Sequence, residues 1–127
     1  MIIGIGLDLC EISRMEQVLK NERFLTRFFT IEEQEYILSR GTGQAATTAA
    51  CFAAKEALVK AFGTGFEGIA TKDVAVLRGS SGKPYYELRG SAKLKAEELG
   101  VQVIHLSISH DGGIAAAFCV LEGNSNV

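Results

Sequence analysis

Residues Ala45 to Gly65 read AATTAACFAAKEALVKAFGTG, and seven alanines fall between Ala45 and Ala57. Alanine favours helix and lets a neighbouring backbone come close. The stretch is therefore predicted as the longest helix, roughly Ala45 to Phe62, laid centrally on a sheet and stopped by Gly63-Thr64-Gly65. Within it Glu56 and Lys60 stand four residues apart and share a face. A solvated surface pair of this kind contributes about 0.3–0.5 kcal/mol and has no further meaning. The alanines, Phe52 and Val59 around it argue against a freely solvated face. A carboxylate and an ammonium on a mostly apolar helix need partners, and an Mg²⁺–phosphate pair would supply both. The backbone N–H groups of Gly63, Thr64 and Gly65 are expected to approach a phosphate. The helix dipole at that end does not attract an anion, so Lys60 has to supply the attraction.

Working back toward the N-terminus, Ile2 to Leu9 reads as a buried strand. Ile3, Ile5, Leu7 and Leu9 form an apolar face, with Gly4, Gly6 and Asp8 on the other. Two glycines beside a carboxylate leave a lane for close backbone approach. Asp8 alone reads equally as a turn residue or as a ligand. Together with Glu56 it would meet the need of Mg²⁺ for one or two carboxylates. Ser13 is expected to cap a helix starting near Arg14, with Met15, Val18 and Leu19 inward. A short helical stretch follows with Phe24, Leu25, Phe28 and Phe29. Thr30-Ile31-Glu32-Glu33 is a capping box that starts a helix running to about Ser39, broken by Gly41-Thr42-Gly43.

Downstream, strands Val74–Leu77 and Tyr85–Leu88 flank a turn at Gly79–Gly82, and Ser91 is expected to cap a helix reaching Leu99, with Gly100 as its stop. Strands Gln102–Ser109 and Ile114–Leu121 are joined by Asp111-Gly112-Gly113, a hairpin signal. Helices between antiparallel pairs give an α+β fold, a small single domain over residues 1–122 with a flexible tail over 123–127.

The 127 residues carry a net charge of −2, which gives no whole-chain reason to expect nucleic acid or an anionic membrane as partner. Cys10, Cys51 and Cys119 are odd in number and widely spaced, so reduced thiols in a cytoplasmic protein are expected rather than a disulfide framework. The N-terminal apolar run is too short for a signal peptide or a membrane span.

Three apparent motifs fail. Gly4-Ile5-Gly6-Leu7-Asp8-Leu9 lacks the third glycine of a dinucleotide fingerprint. Gly79 to Lys83 has the wrong spacing for a P-loop, and Pro84 stands where a metal-binding Ser or Thr belongs. Ser109-His110-Asp111 alternate across a strand and cannot form a relay. His105 reads first as a hydrogen-bonding residue, whereas His110, ending its strand, reads equally as a phosphate contact or a turn residue. Arg14, Lys20, Arg23 and Arg27 outnumber the acids around them. They read equally as a solvated face or as a dock for an acidic partner, with Met15 and Phe24 adding apolar contact.

Gly4-Ile5-Gly6-Leu7-Asp8 with Ile12 and Arg14, then Phe52 through Gly65, Gly82-Lys83-Pro84, and His105-Leu106-Ser107-Ile108-Ser109-His110 together resemble the holo-[acyl-carrier-protein] synthases, small bacterial 4′-phosphopantetheinyl transferases. The resemblance spans nearly the whole chain. It implies the fold of that family and transfer of phosphopantetheine from coenzyme A to a serine of apo acyl carrier protein, releasing 3′,5′-ADP, in fatty acid biosynthesis. It also implies a homotrimer with coenzyme A bound between subunits. By position, Asp8 and Glu56 would hold Mg²⁺ and Lys60 would contact the diphosphate. Gly63 to Gly65, Lys83, Pro84 and His110 would line the coenzyme A site, and Arg14 with the following basic residues would receive the carrier. Glu56, directly or through a water, is the candidate proton acceptor. Cys51 departs from the pattern, because the family commonly has arginine there; nucleotide-end recognition is expected to differ or to draw on another basic side chain. The alternative function is a non-catalytic module binding coenzyme A or a carrier protein.

Overall fold

The computed structural model describes residues 1–124. Among the described residues five strands and five α-helices follow one another as β1 (Ile2–Glu11), α1 (Ile12–Val18), α2 (Glu22–Phe28), α3 (Ile31–Leu38), α4 (Gln44–Phe62), β2 (Val74–Arg78), β3 (Pro84–Leu88), α5 (Gly90–Leu99), β4 (Val101–Asp111) and β5 (Ile114–Gly123). β1, β5 and β4 form an antiparallel sheet in that order, and β2 and β3 a separate hairpin. The expected α+β architecture holds, with α4 across the larger sheet. Asp8, Ala117 and Ile108 stand in register across its three strands. β5 runs through Gly123, whose N–H donates to the Met1 carbonyl at 3.0 Å, so strand pairing extends past the expected start of the tail. Residues 125–127 of that tail lie outside the described residues.

Local chemistry explains most boundaries. Thr30 and Glu33 form the expected capping box, Thr30 N–H donating to Glu33 Oε1 at 2.7 Å and Glu33 N–H to Thr30 Oγ1 at 3.2 Å. Gly63 closes α4 with φ of 81°, a left-handed conformation that glycine adopts without a Cβ penalty. Two starts differ from expectation. α1 begins at Ile12 behind Glu11, not behind Ser13. α5 is capped from outside: Asp73 Oδ2 accepts from Ser91 N–H at 2.8 Å and from Ser91 Oγ at 2.6 Å, so a distant carboxylate replaces the expected serine cap.

The face of β1 is also reversed. Gly4 and Gly6 pack against α4, where a Cβ would overlap the carbonyl oxygens of Ala61 and Ala57. Only glycine lets strand and helix backbones meet this closely. Ile5, Leu7 and Leu9 consequently face outward at 60%, 56% and 63% exposure, beside Phe118 of β5. Inward, Ala115, Ala117, Cys119 and Leu121 of β5 meet the alanine-rich face of α4.

α4 is fixed on its other side by a buried ion pair. Lys55 Nζ lies 2.9 Å from Glu33 Oε1, and both side chains are essentially inaccessible. The same ammonium donates to the carbonyls of Thr71 at 2.9 Å and Val74 at 2.6 Å. Glu33 Oε2 accepts from Val76 N–H at 2.8 Å and from the Cys51 thiol at 3.3 Å. The node ties α3, α4 and β2 together. Tyr86 of β3 adds a bond to the Ala54 carbonyl at 2.5 Å.

Candidate functional site

The glycine lane sets β1 close to α4 and brings Asp8 to Lys60. Lys60 Nζ donates to Asp8 Oδ1 at 2.9 Å and to the Leu7 carbonyl at 3.1 Å. The helical i,i+4 partner, Glu56, is not its hydrogen-bond acceptor; the contact from β1 wins. Lys60 is half exposed, whereas the Asp8 side chain is only 14% exposed. That bond holds the Lys60 ammonium above its ordinary pKa range. Glu56 lies next to the pair, half-buried on the same helix face. Burial, then the negative charge of Asp8, pushes its carboxyl above the usual carboxylate range against the pull of Lys60 and Arg14. Two carboxylates in mutual repulsion beside an ammonium suit a divalent cation and an anion arriving together.

Arg14 belongs to this neighbourhood as well. Its guanidinium carbon lies over the Phe52 ring, 5.4 Å from the centroid. Beyond it the expected basic surface divides. Met15 is fully buried in the core, so it offers no apolar contact to a partner, which corrects that expectation. Lys20 sits in the turn after α1, bonded to Gln17 Oε1 at 3.3 Å, and not on one helix face with Arg23 and Arg27. Asn21 restarts the helix by accepting from Arg23 N–H at 3.0 Å. Arg23, Phe24 and Arg27 then flank a shallow groove of α2 with Phe28. Phe24 is half-buried because it stacks on Phe28 at 5.3 Å.

The N–H groups after α4 are not free for phosphate. Gly63 N–H donates to the Lys60 carbonyl at 3.0 Å, and Thr64 and Gly65 N–H both donate to the Val59 carbonyl at 3.2 Å. Satisfying the last carbonyls of the helix consumes all three donors. A role for Gly63, Thr64 and Gly65 through these amides is thus corrected.

His110 and Pro84 stand elsewhere. They line an open cavity of about 230 Å³ with Tyr36, Arg40, Thr47 and Arg78. Lys83 instead lines a neighbouring cavity with Pro84, His105 and Leu106. His105 bonds Glu122 Oε1 at 2.8 Å across the sheet, a hydrogen-bonding role as expected. The first cavity takes Ala46, Thr47 and Ala50 from α4. At about 100° per residue, Thr47 lies roughly opposite Glu56 around the helix. The chain therefore carries two groups of candidate residues on opposite flanks of α4. Tyr36, Arg40 and Arg78 escaped the sequence reading; the only local hint was an arginine at the end of an element just before Gly41 and before Gly79.

The sequence model of the 4′-phosphopantetheinyl transferase superfamily matches residues 4–119. The holo-[acyl-carrier-protein] synthase of Treponema denticola is 47% identical over 123 residues, covering 97% of this chain and 100% of the relative. Among solved structures, holo-[acyl-carrier-protein] synthase from Neisseria meningitidis superposes with a TM-score of 0.88 at 32% identity, over 96% of this chain and 99% of that one. The Bacillus anthracis holo-(acyl-carrier-protein) synthase, solved in complex with coenzyme A (3′,5′-ADP), gives 0.81 at 34% identity, over 98% and 99%. With motifs, fold and full-length identity in agreement, this chain belongs to the holo-[acyl-carrier-protein] synthase family of the 4′-phosphopantetheinyl transferase superfamily.

Proposed function

We propose that this chain moves the 4′-phosphopantetheine group of coenzyme A onto a serine of apo acyl carrier protein, releasing 3′,5′-ADP for fatty acid biosynthesis. The observation that carries the reading is the meeting of Asp8 and Lys60 at 2.9 Å, with Glu56 electrostatically coupled to both. Asp8 and Glu56 would hold Mg²⁺, a fit supported by the burial and, after it, the Asp8 charge that push Glu56 upward. When bound, the ion neutralises charge on the diphosphate. Lys60, half exposed on a flexible stem, stabilises the charge that grows on the diphosphate oxygens as 3′,5′-ADP leaves. Glu56 accepts the proton of the attacking serine, directly or through a water. Arg14, Arg23 and Arg27, with Phe24, form the acidic carrier's landing surface, and Lys20 adds charge from the turn. His110, Pro84 and Lys83 contact the nucleotide portion of coenzyme A.

A homotrimer with sites shared between subunits accounts for two features together. The outer face of β1 and β5 leaves Ile5, Leu7, Leu9 and Phe118 in water, a patch that association would cover. The two residue groups on opposite flanks of α4 meet when two copies adjoin. Buried, free Cys10, Cys51 and Cys119 suit a reducing cytoplasm. Among the described residues no helix is long and apolar enough to cross a membrane.

Incubation with coenzyme A, Mg²⁺ and apo carrier is expected to add the mass of one phosphopantetheine to the carrier. Binding of coenzyme A without that gain would refute the transferase and leave the binding module, a reading that relatives named as synthases do not favour. Glu56→Gln is expected to abolish turnover at saturating Mg²⁺. Normal turnover would remove both of its roles.

A further inference from the structure

Lys60 stands in the last turn of α4 and reaches across to β1. Its Nζ donates to Asp8 Oδ1 at 2.9 Å and to the Leu7 carbonyl at 3.1 Å. Two of the three N–H donors of an ammonium are thereby spent on one strand. The two partners differ in freedom. The Asp8 side chain is 14% exposed and that of Lys60 51%. Asp8 is fixed on a strand whose Gly4 and Gly6 press against the backbone of α4. Lys60 swings on a four-carbon stem with water on one side. Of this pair, the lysine is the member able to leave.

An ammonium and a divalent cation on one carboxylate repel each other. Asp8 therefore cannot serve both at full strength, and Lys60 has a second anion to go to, the diphosphate of coenzyme A. We infer that Lys60 and the divalent cation compete for Asp8, so that Lys60 changes partner, from Asp8 to the diphosphate, when cation and coenzyme A bind together. A cation arriving alone has to displace the lysine. Coenzyme A gives that lysine a new acceptor, so each ligand raises the affinity for the other by the same factor. Lys60 then couples metal loading to substrate loading, beyond stabilising charge during transfer. The cation also attracts the diphosphate directly, so coupling alone does not single out Lys60. The distinguishing quantity is cation affinity without nucleotide, which a lysine acting only on phosphate would not change. The inference rests on the reading of Asp8 and Glu56 as the metal pair.

The test titrates the whole protein with Mn²⁺, following unbound Mn²⁺ by electron spin resonance, without and then with coenzyme A. Without coenzyme A, Lys60→Met is expected to bind Mn²⁺ about fivefold or more tighter than wild type. Lys60→Gln is expected to do the same, and the gain itself reports an intact fold. Arg14→Gln removes another cation that acts on Glu56, but one whose guanidinium lies over Phe52. It is expected to tighten Mn²⁺ by about twofold at most, as a screened charge. Coenzyme A is expected to tighten Mn²⁺ about tenfold or more in wild type, and by less than half that factor in Lys60→Met. Lysine variants that bind Mn²⁺ no tighter than wild type overturn the inference. So does an equal gain in Arg14→Gln, which would mark general electrostatics. Mn²⁺ binding that survives Asp8→Asn unchanged, or that fails in every form even with coenzyme A, would sink the metal pair and the inference with it. A wild type that shows the exchange yet modifies no carrier would sink the transferase reading alone.

Discussion

Lys55→Met removes an ammonium whose three N–H donors are all used, at 2.9 Å by Glu33 Oε1, 2.9 Å by the Thr71 carbonyl and 2.6 Å by the Val74 carbonyl. Methionine fills a similar volume, so the loss is of charge and donors more than of packing. Glu33 keeps the N–H groups of Thr30 and Val76 and the Cys51 thiol, but it stays buried without a counter-charge. Breaking a buried pair from one side costs about 3–5 kcal/mol. At ~0.05–0.15 kcal/mol per residue, a chain of this length has about 6–19 kcal/mol to lose, so the variant is expected to fold with its reserve sharply reduced. Urea unfolding followed by circular dichroism, at one fixed protein concentration, measures the change. Adding Glu33→Gln to Lys55→Met removes the stranded charge and is expected to recover about 1 kcal/mol or more. A single variant within about 1 kcal/mol of wild type, or a cycle without coupling, would refute the argument that this pair holds α4 in place.

Leu7→Lys, at a position 56% exposed, would change the stability of an isolated chain by no more than about 0.5 kcal/mol. If three copies bury the face, it removes about 3–6 kcal/mol per assembly and light scattering should report a smaller mass; an unchanged mass counts against that interface. Gly6→Ala puts a Cβ against the Ala57 carbonyl and is expected to cost about 1–3 kcal/mol and to lower kcat as Asp8 moves away from α4. Wild-type stability and turnover in that variant would show that the lane is not needed. Arg89 bonds hold the Glu32 carboxyl down at about 2, against 4.5 for an ordinary glutamate. A depressed carboxyl stabilises the fold above its unfolded pKa, and this is lost as pH falls from about 4.5 toward 2. Glu32 is 50% and Arg89 34% exposed, so solvent screens the pair, and Glu32→Gln should cost under about 1 kcal/mol at pH 7 and progressively less below pH 4.5 in urea midpoints. A deficit as large at pH 2 as at pH 7 would contradict this.

Where local chemistry decides an element, the sequence is readable. Thr30 and Glu33 cap α3 through their own three-residue spacing, and Gly63 and Gly100 end helices by adopting positive φ. Tertiary competition decides the rest. The other oxygen of Glu33 collects Val76 and Cys51, from 43 and 18 residues away, and no local pattern announces that. Alternation along β1 was readable but its direction was not, because the apolar side usually turns inward and here two glycines take that place. At the candidate site, the residue types Asp8, Glu56 and Lys60 were visible in the chain. That Lys60 prefers Asp8 to its helical neighbour depends on how closely β1 approaches. The amides after α4 were misread because a helix end satisfies its own carbonyls before any ligand. Arg40 and Arg78 come from separate segments and converge over Tyr36.

Splitting the working residues between the two flanks of α4 would make activity a property of neighbours rather than of single chains. A preparation lacking Lys60 and another lacking Lys83 and His110, assayed at coenzyme A too dilute to bind without them, would each be inert. Unfolded together and reassembled at random, the blend is expected to regain about a quarter of the wild-type sites, since each joint draws its two halves independently from different chains.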